Sequence, residues 1–143
     1  MNPAPSNDQA PANEQAQGFH KSSNTGFAHL RNSIRFSYKG LVAAFKYESA
    51  FRQELAVIVL LIPLGLWISD SALQFTLLMV SASFVLVIEL LNSAVEAAID
   101  RIGPEHHPLS GRAKDLGSAA VMVCLILAAA IWLVTLLEFL AIL

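Results

Sequence analysis

Residues 116–137 read LGSAAVMVCLILAAAIWLVTLL, a run of 22 residues without a charge, and they indicate the class of fold. A helix needs about 20 consecutive apolar residues to cross a bilayer, so this run is long enough to do so alone. The composition agrees, because 55% of the 143 residues are apolar and only 14% are charged, whereas soluble domains carry about 25% charged residues. The sequence therefore predicts an integral membrane protein.

Two further uncharged runs precede this one, at residues 55–69 and 71–88. The second is long enough to span a membrane once its helix continues past Glu89. The first is short and contains Pro63, so its helix must begin near Ala50; a buried core helix is the alternative for this segment. We predict three spans, at about 50–69, 71–98 and 116–140.

The segment before the spans carries apolar residues at helical spacing, with Arg31, Arg35 and Lys39 beside them. This pattern is typical of an amphipathic helix at a membrane surface, and we predict one over about 30–47. An ordinary surface helix is the alternative. Residues 1–26 are rich in Asn, Gln, Pro, Ser and Ala and lack the apolar core of a signal peptide, so we predict a disordered cytosolic tail.

The distribution of basic residues predicts the orientation. Lys and Arg precede the first span and recur between the second and third, but none lies between the first and second or after the third. By the positive-inside rule, the N-terminus and the loop at about 99–115 face the cytoplasm, and the C-terminus faces the other side. Residues 27–143 are therefore predicted as one all-α membrane domain with a surface helix and three transmembrane helices.

A line of polar side chains continues along the second span. Glu89, Asn92, Glu96 and Asp100 are spaced three, four and four residues apart, so they share one face of a helix. Acidic residues within a span are costly and by default indicate a functional site, and their oxygen atoms suit hard cations such as Mg²⁺. A polar seam between helices is the alternative. We expect Asp100 to be structural and to pair with a nearby arginine, Arg101 or Arg112.

The loop at 106–115 combines histidines, small residues and cations, and Arg112 and Lys114 could hold phosphate groups. A basic loop that only sets the topology is the alternative. The acidic residues are predicted at the cytoplasmic boundary, which favours Mg²⁺-dependent phosphate chemistry on a lipid over proton or cation transport. The net charge of −2 excludes a strongly basic nucleic-acid binder. Adjacent histidines without a cysteine do not have zinc-site spacing.

Three longer motifs are ESAFRQE at 48–54, ELLNSAVEAAIDRIG at 89–103 and LSGRAKDLGSAA at 109–120. In sequence and order they resemble the prokaryotic diacylglycerol kinase family, and the resemblance extends from about Thr25 to Leu137. It implies a homotrimeric bacterial inner-membrane enzyme that transfers the γ-phosphate of ATP to diacylglycerol, giving phosphatidic acid, with Mg²⁺ as cofactor. We expect active sites shared between subunits, because one three-span chain has little room to enclose both substrates.

The resemblance also implies roles for individual residues. Glu89 matches the general base for the lipid hydroxyl, and Asn92 a residue that supports the reacting groups. Glu48 and Glu96 match the Mg²⁺ ligands and also contact the nucleotide, although spacing alone suggests that Glu48 only extends toward the headgroups. The other nucleotide-binding positions are Glu105, His106, His107, Lys114 and Asp115. Weaker matches are Phe36, where the family can carry tyrosine, and His29, where it often carries arginine. The lipid-binding positions are Ala50, Phe51, Arg52, Gln53, Glu54, Glu89 and Ser118.

Two alternatives stay open at this point. An undecaprenol kinase has the same architecture and a polyprenol acceptor, although the runs FRQE at 51–54 and LSGR at 109–112 resemble the diacylglycerol branch more closely. A proton- or cation-translocating protein, or a non-enzymatic three-span protein, belongs to a different class. That class predicts that Glu89→Gln leaves lipid phosphorylation unchanged, or that there is none to lose.

Overall fold

The structure is a computed structural model that describes residues 27–103 and 105–142, so the predicted tail at 1–26 lies outside the described residues. Within those ranges the regular structure is entirely helical, with α1 (Phe27–Tyr47), α2 (Ser49–Ile68), α3 (Ala72–Ile102) and α4 (Pro108–Ile142). Helices α2, α3 and α4 are long and apolar enough to cross a membrane. The prediction of an all-α protein with three membrane spans is therefore confirmed.

The helix boundaries differ most from the sequence expectation at the start of α4, which begins at Pro108 rather than near residue 116. Its first turns carry Arg112, Lys114 and Asp115, so the helix continues beyond the apolar run. Hydropathy locates the part of a helix that crosses the membrane and does not locate its ends. Pro108 suits a first helical position, because it has no N–H to leave unbonded and its φ is already helical.

Short connections join the helices. Glu48 alone separates α1 from α2, with an extended backbone at φ −99° and ψ 113°. Ser71 caps α3, since its hydroxyl accepts a hydrogen bond from the Gln74 backbone N–H at 3.2 Å. The Gln74 side chain in turn donates to Glu138 of α4 at 3.2 Å, which joins the start of α3 to the end of α4. At its other end α3 stops at Gly103, whose φ of +155° side-chain-bearing residues rarely adopt.

Helix α3 packs mainly on α4 and also on α2. Gly65 of α2 lies where an added Cβ would meet three side chains at 3.2 to 3.4 Å, those of Met79, Trp132 and Phe75. Small residues at such contacts are typical of membrane helices, which associate through close packing because lipid supplies no hydrophobic force between them. Large apolar side chains such as Leu60 and Trp67 are more than 70% exposed, as expected for lipid-facing positions.

Leu78 and its neighbour Leu77 provide a test of this packing. Leu78 is fully buried on α3, whereas Leu77 is 53% exposed. Leu78→Ala removes contacts that the bundle cannot replace, and we expect it to lower the free energy of unfolding by about 2 kcal/mol. Leu77→Ala is the matched control, with an expected change within about 0.5 kcal/mol. Thermal unfolding in detergent micelles measures both, and equal losses would contradict the described packing.

Candidate active site

The polar face of α3 lines a cavity where α2, α3 and α4 meet. This cavity has a volume of about 490 Å³, and we call it the polar cavity; the lining includes Glu48, Glu54, Glu89, Asn92, Glu96 and Ser118. Glu89 is buried, at 5% exposure, and the other three glutamates are half-buried. Carboxylates this close repel one another in a low-dielectric setting unless a cation or bound protons offset their charge. The cavity is therefore suited to bind a cation.

Asn92 holds one of these carboxylates in place. Its Nδ2 donates a hydrogen bond to Glu96 Oε1 at 2.9 Å, one helical turn away. Its Oδ1 is buried and has no hydrogen-bond partner among the described residues, and the same is true of Glu54 Oε2. A buried oxygen without a partner costs about 1–3 kcal/mol. Both atoms are therefore placed to accept a hydrogen bond from a ligand or to coordinate a cation.

Helix α4 approaches Asn92 most closely at Gly117. A Cβ added to Gly117 would collide with Asn92 Oδ1, so the glycine leaves the space that the amide occupies. Sequence reasoning did not single out Gly117 as part of the site. The available signal was the run of small residues at 117–120, which is typical of membrane helix contacts, but a single sequence does not say which residue such a run faces.

The residues of the polar cavity could hold a magnesium ion. In the part of the chain that the structure describes, no three His, Cys, Asp or Glu side chains are arranged to bind a metal by themselves. Mg²⁺ commonly uses one or two protein carboxylates and completes its shell with water and substrate phosphates. Glu48 and Glu96, which line one cavity together with the unpartnered Asn92 Oδ1, fit that donor set.

The motif residues at 50–54 and Ser118 do not all lie in one place. Ala50, Glu54 and Ser118 line the polar cavity. Gln53 and Glu54 line a separate apolar groove. Phe51 is buried at 5% exposure and is not among the described residues that line either cavity. Three of these predicted lipid-binding residues therefore line the same cavity as Glu48, Glu89 and Glu96.

Arg52 is not among the described residues that line the polar cavity. Its Nη1 instead donates hydrogen bonds to the backbone carbonyls of Phe45, at 3.0 Å, and Lys46, at 3.3 Å. Both carbonyls belong to the last turn of α1, whose C-terminal carbonyl groups lack partners within the helix. The guanidinium of α2 therefore caps α1.

An apolar groove adjoins the polar cavity between α2, α3 and α4. The two share Glu54 and Leu125, and the groove has a volume of about 370 Å³. Its remaining lining is mostly apolar and includes Val57, Ile58, Leu61, Val85, Ala128 and Trp132. A ligand with a polar head and a hydrocarbon chain would match this succession of surfaces.

The predicted nucleotide-binding residues near α4 lie outside the lining described for the polar cavity. Glu105, His106 and His107 are exposed in the connection before α4, where His107 Nδ1 accepts a hydrogen bond from the Leu109 N–H at 3.2 Å. Asp115 is exposed in the first turns of α4. His29 and Phe36 lie in the first part of α1, and both are exposed there.

Asp100 pairs with Lys114, since Lys114 Nζ lies 2.5 Å from Asp100 Oδ1. The expectation that Asp100 pairs with Arg101 or Arg112 is therefore wrong. The register of α3 against α4 sets the partner, because it places Lys114, and neither Arg101 nor Arg112, opposite Asp100. The ion pair fixes the ammonium group at the end of the bundle where the carboxylates lie.

Fold and site together define a small multi-pass membrane protein whose polar cavity lies where three spans meet. A sequence profile of the family described as prokaryotic diacylglycerol kinase matches residues 35–136. The diacylglycerol kinase of Haemophilus influenzae is 47% identical over 108 residues, which cover 76% of this chain and 92% of that protein. The diacylglycerol kinase of Escherichia coli K12 is 46% identical over 112 residues, which cover 78% of this chain and 92% of that protein. That of Pseudomonas aeruginosa is 42% identical over 108 residues, covering 76% and 88%.

The chain belongs to the prokaryotic diacylglycerol kinase family, and it is an enzyme of that family. This membership confirms the resemblance that the three motifs indicated.

Proposed function

We propose that this protein transfers the γ-phosphate of ATP to the free hydroxyl of 1,2-diacylglycerol, giving phosphatidic acid and ADP. The observation that carries the proposal is that the polar cavity and the apolar groove are neighbours that share Glu54 and Leu125 in their linings. A diacylglycerol can place its hydroxyl among the carboxylates while an acyl chain occupies the groove. The diacylglycerol kinases to which the chain is similar support the same acceptor.

Glu89 is the proposed general base. It is buried in the polar cavity, where its carboxylate can accept the proton of the lipid hydroxyl. The hydroxyl oxygen forms a bond to the γ-phosphorus as the bond from that phosphorus to the bridging oxygen breaks, and ADP leaves with the electron pair of that bond. The proton remains on Glu89 until it is released to solvent.

Glu48 and Glu96 are the proposed ligands of Mg²⁺, and Asn92 is the residue that orients Glu96. When bound, the ion neutralises charge on the transferring phosphate and orients the nucleotide. The hydrogen bond from Asn92 to Glu96 fixes one carboxylate before substrates bind, which reduces the ordering that the reaction requires. Glu48 enters the same cavity from the junction of α1 and α2.

A recess beside Glu48 is the proposed site for the nucleoside. It has a volume of about 720 Å³ between the second half of α1 and α3, and it shares Glu48 with the polar cavity. Its lining has many small side chains, including Gly40, Ala43, Ala44, Ser93 and Ala97. Small side chains leave room for a flat ring close to the helices. Lys114, held by Asp100, is proposed to contact the phosphates together with Asp115, Glu105, His106 and His107.

We also propose a location and an assembly. The protein lies in the bacterial inner membrane with its N-terminus in the cytoplasm and its C-terminus in the periplasm, because its basic residues flank the end of the bundle that carries the carboxylates. ATP is then available on the side that the polar cavity faces. A homotrimer with sites shared between neighbouring chains is the proposed assembly, since one three-span chain has little room to enclose both substrates.

The proposed function is tested by transfer of labelled γ-phosphate from Mg-ATP by purified protein, with short-chain diacylglycerol and a polyprenol in parallel. We expect transfer mainly to diacylglycerol and none without Mg²⁺. Transfer mainly to the polyprenol would retain the mechanism and change the acceptor. Absence of transfer to either lipid, from protein that unfolds cooperatively on heating, would contradict the proposed function.

A further inference from the structure

The position of Glu48 depends on a hinge of a single residue. Helix α1 ends at Tyr47 and α2 begins at Ser49, so Glu48 is the one residue between them. Its backbone N–H donates to the Ala44 carbonyl at 2.8 Å, and its side chain makes no capping hydrogen bond to α2. The carboxylate is therefore free to enter the polar cavity, and its direction depends on the angle between the two helices.

Arg52 bridges this hinge. It lies in the first turn of α2, and its Nη1 reaches back over the junction to the carbonyls of Phe45 and Lys46 at 3.0 and 3.3 Å. A cation at a helix C-terminus is favoured, because the unpaired carbonyls carry partial negative charge. One planar guanidinium group thus joins the last turn of α1 to the first turn of α2 on either side of Glu48.

The geometry points to Arg52 as a positioning residue, which fixes the angle between α1 and α2 and thereby directs the Glu48 carboxylate into the polar cavity. This inference rests on the proposed function and deepens it. It differs from the lipid-binding role that the sequence resemblance implies for Arg52, because the guanidinium is engaged with backbone carbonyls and is not among the described residues that line the polar cavity or the apolar groove.

A kinetic comparison separates the two roles. Arg52→Ala is expected to raise the Mg²⁺ concentration for half-maximal activity by about tenfold, as is typical when the support of a metal ligand is lost. It should lower kcat by a similar factor and leave the KM for diacylglycerol within about twofold. Arg52→Lys keeps the charge but lacks the planar guanidinium. Its Mg²⁺ requirement should therefore fall between that of the parent protein and that of Arg52→Ala.

The matched control is Lys46→Gln. It removes the same charge from the same junction, while the Lys46 carbonyl and the Arg52 side chain remain in place. We expect its Mg²⁺ requirement and both kinetic constants to stay within about twofold of those of the parent protein. An equal effect of Lys46→Gln and Arg52→Ala would show that surface charge matters and would overturn the inference.

A second measurement reports the helix angle without any reaction. Spin labels are attached at positions 39 and 59, which are exposed on α1 and α2, after replacing the lone cysteine by Cys124→Ala. Labelled chains are reconstituted with an excess of cysteine-free chains, so that each label pair is measured within one chain. Pulsed dipolar spectroscopy should give a single narrow distance distribution, which Arg52→Ala broadens or shifts and Lys46→Gln does not.

Two further results would also overturn the inference, namely an unchanged distance distribution in Arg52→Ala, or a raised KM for diacylglycerol with an unchanged Mg²⁺ requirement. The second would instead support a lipid-binding role. If the parent protein phosphorylates no lipid, the proposed function fails. The distance measurement still decides whether Arg52 holds the hinge, so the two failures are distinguishable.

Discussion

Glu89→Gln is expected to lower kcat by about 10³-fold, because an amide cannot accept the proton of the lipid hydroxyl. Glutamine has nearly the size of glutamate, so the polar cavity should keep its shape and the KM for diacylglycerol should change little. Replacing a charge in a buried position by a neutral group of equal size should not lower the unfolding temperature. Labelled phosphate transfer and thermal unfolding in the same micelles measure the two effects.

Asp70→Asn is the matched control for this variant. Asp70 is exposed in the short connection between α2 and α3, at the opposite end of the bundle from the polar cavity, and its replacement removes the same charge. We expect activity within about twofold of that of the parent protein. If Glu89→Gln retained more than about a tenth of the parent kcat, Glu89 would not be the general base, and another carboxylate of the cavity would have to accept the proton.

The sequence predicted the membrane helices because each depends on local information. An uncharged run of sufficient length has few alternatives to a span, and the three runs became α2, α3 and the apolar part of α4. The polar face of α3 was predictable for the same reason. A spacing of three or four residues places side chains on one face of a helix, whatever lies opposite that face. Glu89, Asn92 and Glu96 accordingly line one cavity.

What the sequence could not predict depends on contacts between helices. Lys114 was expected among the phosphate-binding residues, but its ion pair with Asp100 follows from the register of α3 against α4. Arg52 was assigned to the lipid by resemblance, and only the structure brings its guanidinium to the carbonyls of α1. Spacing along one helix carries no information about which residue of another helix lies opposite.

Gly117 of α4 lies against Asn92 of α3, a contact between helices that only the structure reveals. Gly117→Ala is expected to lower kcat by about 10²-fold, because the new Cβ would occupy the position of Asn92 Oδ1. Asn92 must then rotate, and its hydrogen bond to Glu96 Oε1 is lost. A misplacement of about 1 Å in the catalytic geometry, caused by a mutation away from the chemistry, can cost about 10²-fold in rate. Steady-state kinetics at saturating lipid and ATP measure the loss.

The control is Gly111→Ala on the same helix, where an added Cβ meets nothing within 4 Å. There alanine should stabilise the helix slightly, as glycine-to-alanine changes do at open helical sites, and leave kcat within about twofold. A steric effect specific to Gly117 therefore predicts a large loss of kcat for one glycine-to-alanine substitution on α4 and almost none for another six residues away.

A double-mutant cycle decides whether Gly117 acts through Asn92. Asn92→Ala removes the side chain that the new Cβ would strike, so Gly117→Ala should cost much less in that background than in the parent protein. Equal losses in the two backgrounds would mean that Gly117 acts through general packing of α3 on α4. Strong non-additivity would mean that the backbone of α4 sets the orientation of the Asn92 amide, and that this amide directs Glu96. The carboxylates of α3 proposed for catalysis would then depend on a glycine of α4 that carries no chemistry of its own.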